Sequence, residues 1–247
     1  MNRPIDYGAA PVAVRADLTE AHRRAWDRLA APGTWWDARM RLAIAAEARN
    51  APACALCRAR RQALSPSAVA GRHDTQGGLA PALVEVVHRI RTDPGRLTRA
   101  WYRDRIASGL AEERYVKLVG VVVTTVAVDS FCRALGLPLH DLPAPVVGDP
   151  SRRRPAGVVG GRAWVPMLPP KAARGPEADL YDGNTGAHVR QAMSLVPDEV
   201  RGFFDLVETQ YLPAPAMRDY ATEPRAVTHA QIELIAGRVS ALNQCVY

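Results

Sequence analysis

An all-α fold is the expectation from this chain, and three observations predict it. Apolar residues recur at three- and four-residue spacing over long stretches, β-branched alternation is scarce, and helix start and stop signals flank several of the periodic segments. In order, the periodic segments are Leu18 to Ala31, Asp37 to Arg49, Ala80 to Arg91, Arg96 to Ala107 and Glu112 to Leu135. Asp93-Pro94 reads as the start signal of the fourth. Gly136 followed by Pro138 reads as the stop of the fifth, since glycine takes the left-handed cap and proline cannot continue a helix. Ala187 to Leu195, Asp198 to Gln210 and Thr228 to Leu242 complete the set, the last opened by the Thr-x-x-Gln spacing of Thr228 and Gln231, which is a capping box.

The segment from Pro138 to Pro176 holds nine of the 20 prolines, with Gly148, Gly157, Gly160, Gly161 and Gly175 among them. Such a composition cannot propagate helix. Trp164, Val165, Met167 and Leu168 give it apolar side chains to bury, so an ordered strap is expected rather than a loose tether. Three regions follow: a first helical unit over 1–137, a Pro/Gly-rich strap over 138–186, and a second, incomplete-looking unit over 187–247. A weak internal repeat relates the two units, because RLAIAAEARNAPAC before Cys54 aligns with IELIAGRVSALNQC before Cys245.

At 247 residues, 48% hydrophobic and 23% charged, the chain can bury a large core without disulfides, which excludes disordered and fibrous classes. The net charge of +7 rests on arginine, since Lys117 and Lys171 are the only lysines among 32 basic residues. Runs such as Arg152 to Arg154 lack interleaved aromatics or a recognisable nucleic-acid module, so no nucleic-acid partner is expected. The N-terminus has no apolar signal region, and the apolar stretch Leu118 to Val128 is shorter than the roughly 20 residues that span a bilayer. The expectation is a cytoplasmic protein without a membrane partner. There, paired thiols are more often redox-active or metal-binding than structural.

Cys54-Ala-Leu-Cys57 is the sharpest local signal. Two thiols three positions apart at the start of a helix allow one thiolate to attack and the other to resolve the product as a disulfide, with the helix N-terminus favouring the ionised sulfur. Arg58, Arg60 and Arg61 add positive potential. An inert buried pair and half of a zinc site are the alternatives. A four-cysteine zinc site needs a second such pair, whereas Cys132 stands alone on an apolar helix as a packed core thiol, so neither a metal nor another cofactor is expected.

These cysteine regions resemble the alkylhydroperoxidase D-like branch of the carboxymuconolactone decarboxylase family. Peroxidase members carry Glu, an eleven-residue spacer, Cys-x-x-Cys, and His four positions beyond the second cysteine. Glu233 stands twelve positions before Cys245, matching the first part, while the second cysteine and the histidine would fall beyond Tyr247. The segment YVKLVGVVVTTVAVDSFCRALGLPL is similar to the family's second long helix. Around Cys54 the pattern is altered: Leu42 takes the glutamate position, leaving Glu47 as the nearest carboxylate, and Arg61 replaces the histidine. Relay duty would pass to His73, in the turn Gly71 to Gly78, or to His88, on a helix after Val86 and Val87.

The resemblance implies an all-α bundle of two related units, and a thiol-dependent peroxidase or disulfide oxidoreductase that uses a peroxide and an external dithiol or protein electron donor. A homo-oligomer is implied as well. The candidate site residues are Cys54, Cys57, Glu47, His73, Glu233 and Cys245. A Cys-Val-Tyr ending would also be the stump of a Cys-x-x-selenocysteine motif read as a stop. Two other readings stay open: a cofactor-free lyase like the decarboxylase branch, and a catalytically silent helical scaffold.

Overall fold

The computed structural model describes residues 5–161, 163–181, 188–243 and 245. Among them the fold is all-α: α1 (Ala16–Ala30), α2 (Ala38–Asn50), α3 (Ala55–Gln62), α4 (Pro81–Thr92), α5 (Arg99–Ala107), α6 (Glu112–Ala134), α7 (His188–Gln191), α8 (Pro197–Gln210) and α9 (His229–Leu242). The only extended pairing among the described residues is one antiparallel bridge, Val159 with Met167.

Local chemistry explains most boundaries. Asp37 caps α2 by accepting from the Met40 N–H at 2.8 Å. Gly136 has φ +67 just past α6, a left-handed position that glycine occupies without the Cβ penalty. Two expectations shift. Asp93-Pro94 starts only a short 3₁₀ turn, Pro94–Arg96, and α5 begins at Arg99 because the Thr98 hydroxyl accepts from the Trp101 N–H at 3.1 Å. The segment expected to be helical over Ala187 to Leu195 is helical only over His188–Gln191, Ala187 lying outside the described residues. The Ser194 hydroxyl there donates to the Gln191 carbonyl at 2.6 Å and accepts from the Leu168 N–H at 2.8 Å, a local alternative to helical bonding.

The long helix α6 packs against α2, α4 and α8, and α1 packs against α2 and α8. Leu29, Ile44, Val87, Leu118, Val121 and Val200 meet in one core. Val165 and Leu168 of the strap enter that same core and Met167 is buried too, whereas Trp164, expected to pack with them, is 38% exposed and Val146, Val147 and Val159 face outward. By length and composition α6 could cross a membrane, and 61% of its most apolar window is buried inside the protein. Polar links fix the helices: Arg49 of α2 grips Asp129 of α6 through two bonds of 2.9 and 2.7 Å, and Arg24 and Arg28 of α1 converge on Asp205 of α8. The bundle holds α2 beside α4 and rests α3 on α4, which sets the stage for the cysteines.

Candidate thiol and imidazole site

Cys54 occupies the N-cap of α3 and Cys57 lies in its first turn, where the first N–H groups of a helix have no intrahelical partner. Both thiols are buried, at 0% and 3% exposure. Leu56 and Val69 pack around them. The loop between α3 and α4 then crosses the pair. The Ala55 N–H donates to the Asp74 carboxylate at 2.7 Å, and the Asn50 amide donates to the Asp74 carbonyl at 2.7 Å, which seats His73 above the sulfurs.

Two imidazoles face the thiols with the same ring edge. His73 Nδ1 lies 3.4 Å from Cys54 Sγ and 3.5 Å from Cys57 Sγ. His88 Nδ1, from α4, lies 3.2 Å from Cys57 Sγ. The two rings meet edge to face, with centroids 4.3 Å apart. The opposite nitrogens are both held by carboxylates: His88 Nε2 is 2.7 Å from Glu47 of α2, and His73 Nε2 is 2.8 Å from Glu85 of α4. Those carboxylates are themselves anchored. Glu47 also accepts from the Asn50 amide, the Thr75 hydroxyl and the Gln76 N–H, and Glu85 accepts from Arg60.

The electrostatics follow from this wiring. Burial opposes ionisation of Cys57, but hydrogen bonds from His73 and His88 outweigh it and bring the thiol down to about 6. Cys54 shifts the same way: burial is overcome by the Cys57 N–H, His73 and the Asp74 backbone. Burial likewise opposes charge on His73, yet its bonds to Cys57 and Glu85 lift it to about 10. Glu85 is held at about 2, its burial overridden by His73 and Arg60. The cluster is a chain of alternating charges, buried at the thiols and His88 and part-exposed at His73, Glu85 and Arg60, consistent with the rule that buried charges come paired.

Of the residues expected to form a site, Cys54, Cys57, Glu47 and His73 come together here, and His88 joins them. Glu233 and Cys245 do not. Glu233 sits on α9, where it accepts from the Tyr211 hydroxyl and lies 3.5 Å from His229, and Cys245 is exposed just past that helix. Gln244, Val246 and Tyr247, on which the interrupted second motif depends, lie outside the described residues. Of the three arginines, Arg60 reaches the cluster through Glu85, while Arg58 donates to the Ala53 carbonyl beside it. Cys132 is buried, and burial pushes its thiol up, as befits a packing residue.

Sequence reasoning missed Glu85 and Asp74. Glu85 carries a readable signal, since it precedes His88 by three positions on one helix and so shares its face. Asp74 carries none, because its role depends on a loop returning to α3. No protein-family model matches the chain, and no curated protein or solved structure matches it.

Proposed function

We propose that this protein is a thiol-dependent oxidoreductase of the alkylhydroperoxidase D-like type, reducing peroxides through Cys57 and Cys54. The observation that carries the reading is the relay Cys57–His88–Glu47, with 3.2 Å from sulfur to imidazole and 2.7 Å from imidazole to carboxylate. It supplies, from other parts of the chain, the glutamate and the histidine that the motif around Cys54 lacks at their usual positions.

In this mechanism the Cys57 thiol passes its proton to His88, whose other nitrogen Glu47 holds, and the thiolate attacks the distal peroxide oxygen. The O–O bond breaks, the leaving alkoxide takes the proton from His88, and Cys57 becomes a sulfenic acid. Cys54, bonded to His73, then attacks that sulfur and expels water, which closes the disulfide. An external dithiol returns two electrons and two protons. Cys57 is assigned the attacking role because both imidazoles reach it, whereas Cys54 meets His73. Access runs past His73, the more exposed member of the four, on the loop joining α3 and α4. The cytoplasmic setting, the peroxide and the dithiol donor are parts of the same reading, as is assembly with further copies.

The burial of both thiols favours a second reading, in which the pair is structural and the protein a silent helical scaffold. Peroxide consumption by reduced, metal-stripped protein with a dithiol donor decides between them. Cys57→Ser should abolish turnover, and Cys54→Ser should stop after one equivalent with a trappable sulfenic acid. Equal turnover in wild type and both variants would overturn the peroxidase reading.

A further inference from the structure

We infer that Cys54, Cys57, His73 and His88 form a closed tetrahedral site for a zinc-class divalent cation in the reduced protein. The two Sγ and two imidazole nitrogen atoms all lie within 4.8 Å of one another. Zinc bonds of about 2.3 Å to sulfur and 2.0 Å to nitrogen, set at tetrahedral angles, put sulfur and nitrogen about 3.5 Å apart. Three of the four sulfur–nitrogen distances are 3.2, 3.4 and 3.5 Å, and the fourth, Cys54 to His88, is within 4.8 Å. The donor set therefore needs little movement to close on an ion.

The surroundings point the same way. Each histidine turns its Nε2 to a carboxylate, Glu47 or Glu85, which keeps a proton on that nitrogen and leaves Nδ1, on the sulfur side, as the one that gives up its proton to bind an ion. Glu47 gains three further donors from Asn50, Thr75 and Gln76, so the orienting shell is itself oriented. Two thiolates would neutralise a doubly charged ion, which makes the cluster tolerable in a buried place. With four protein ligands and no open position, the site matches structural zinc rather than catalytic zinc, and its softness disfavours magnesium or calcium. His73 and His88 are 15 positions apart, far from the three to five of a zinc finger, so only the fold brings the second half of the site to the first.

The metal site stands on this geometry; its discharge rests on the thiol chemistry proposed above. When hydrogen peroxide oxidises the pair, two thiolates lose two electrons and form one S–S bond. The O–O bond takes up those electrons with two protons to give two waters, and the ion leaves for want of its sulfur ligands.

The test is titration of the reduced, chelator-stripped full chain with Zn²⁺ and with Co²⁺. One ion per chain is expected, with the thiolate-to-cobalt charge-transfer and tetrahedral ligand-field bands of an S₂N₂ site, and a melting temperature that rises with Zn²⁺. Glu47→Gln, which leaves all four ligands in place, should weaken binding about 10- to 100-fold. Absence of the thiolate–cobalt band in the folded wild-type protein, or a band unchanged in both Cys57→Ser and His88→Ala, overturns the inference. Peroxide is then added to the zinc-loaded protein. Release of one ion for two thiols lost supports the coupled reading. If the bound ion stays in place under peroxide, and peroxide also leaves the thiols of the stripped protein unoxidised, the metal site stands and the peroxidase reading falls, whereas oxidation of stripped protein that never binds metal does the reverse.

Discussion

His22 is fully buried on α1, its Nδ1 2.5 Å from the Tyr7 hydroxyl and its Nε2 2.8 Å from the Gln210 side-chain amide. Burial, helped by His140, holds it near 4. An unfolded histidine titrates near 6.5, so as pH falls below that value the unfolded chain takes up a proton that the folded chain refuses until about 4. Stability is therefore full above pH 6.5 and lost on the way down to 4, by up to about 3 kcal/mol. Urea unfolding at pH 7 and 4.5 should show this, with a smaller difference in His22→Gln; an equal pH difference in both would assign the loss to other groups. The histidines at the cysteines have the opposite fate. His88 is no more exposed than His22, yet it is raised rather than lowered, because Cys57 and Glu47 outweigh its burial. Two buried histidines on apolar helix faces look alike in sequence, and their partners separate them.

At the scale of the element, α9 and α3 are opposites. α9 forms for local reasons: Thr228 and Gln231 bond reciprocally to each other's backbone in the expected capping box. Yet His229 is its only buried residue, and Leu234, Ile235, Val239 and Leu242 are exposed. Ending the chain after Leu212 should shift the melting temperature by less than about 3 °C, as calorimetry would show, since little buried surface is lost. A larger drop would mean that α9 is buried in the folded protein in solution. The periodicity that marked α9 as a helix carried no information about what it packs on. α3 shows the converse, as its eight residues would not persist alone, and the α4 contact together with Asp74 at its N-terminus holds it.

Across the whole molecule, α6 is the axis, and at Gly120 a side chain of α8, Glu199, lies against its backbone. Lys117 of α6 donates to Glu199 of α8 in a buried ion pair, with burial lowering the lysine and Glu199 restoring part of its charge. A methyl group at Gly120 would overlap the Glu199 carboxylate. Helix propensity alone predicts that Gly120→Ala stabilises by about 1 kcal/mol. Overpacking and displacement of a buried charge act against it and dominate, so the variant should be less stable by about 2–4 kcal/mol. Denaturant unfolding reads the sign directly, and a gain would show that α8 can move away from α6 at little cost.

The sequence by itself determined the helical class, most helix positions, the inward packing of Val165 and Leu168, and the place of the Cys54–Cys57 pair at the start of a helix. Each of these rests on residues close together in the chain, where period, cap and composition act. Tertiary structure alone decided that the 188–195 segment stops short, where Ser194 meets Leu168, and that Glu85 and Asp74 belong to the site. It also decided that the partners of the two cysteines are imidazoles rather than a second cysteine pair. His73 comes from a loop and His88 from a helix, and what brings them to the sulfurs is the packing of α2, α3 and α4, a relation between segments that no local spacing encodes.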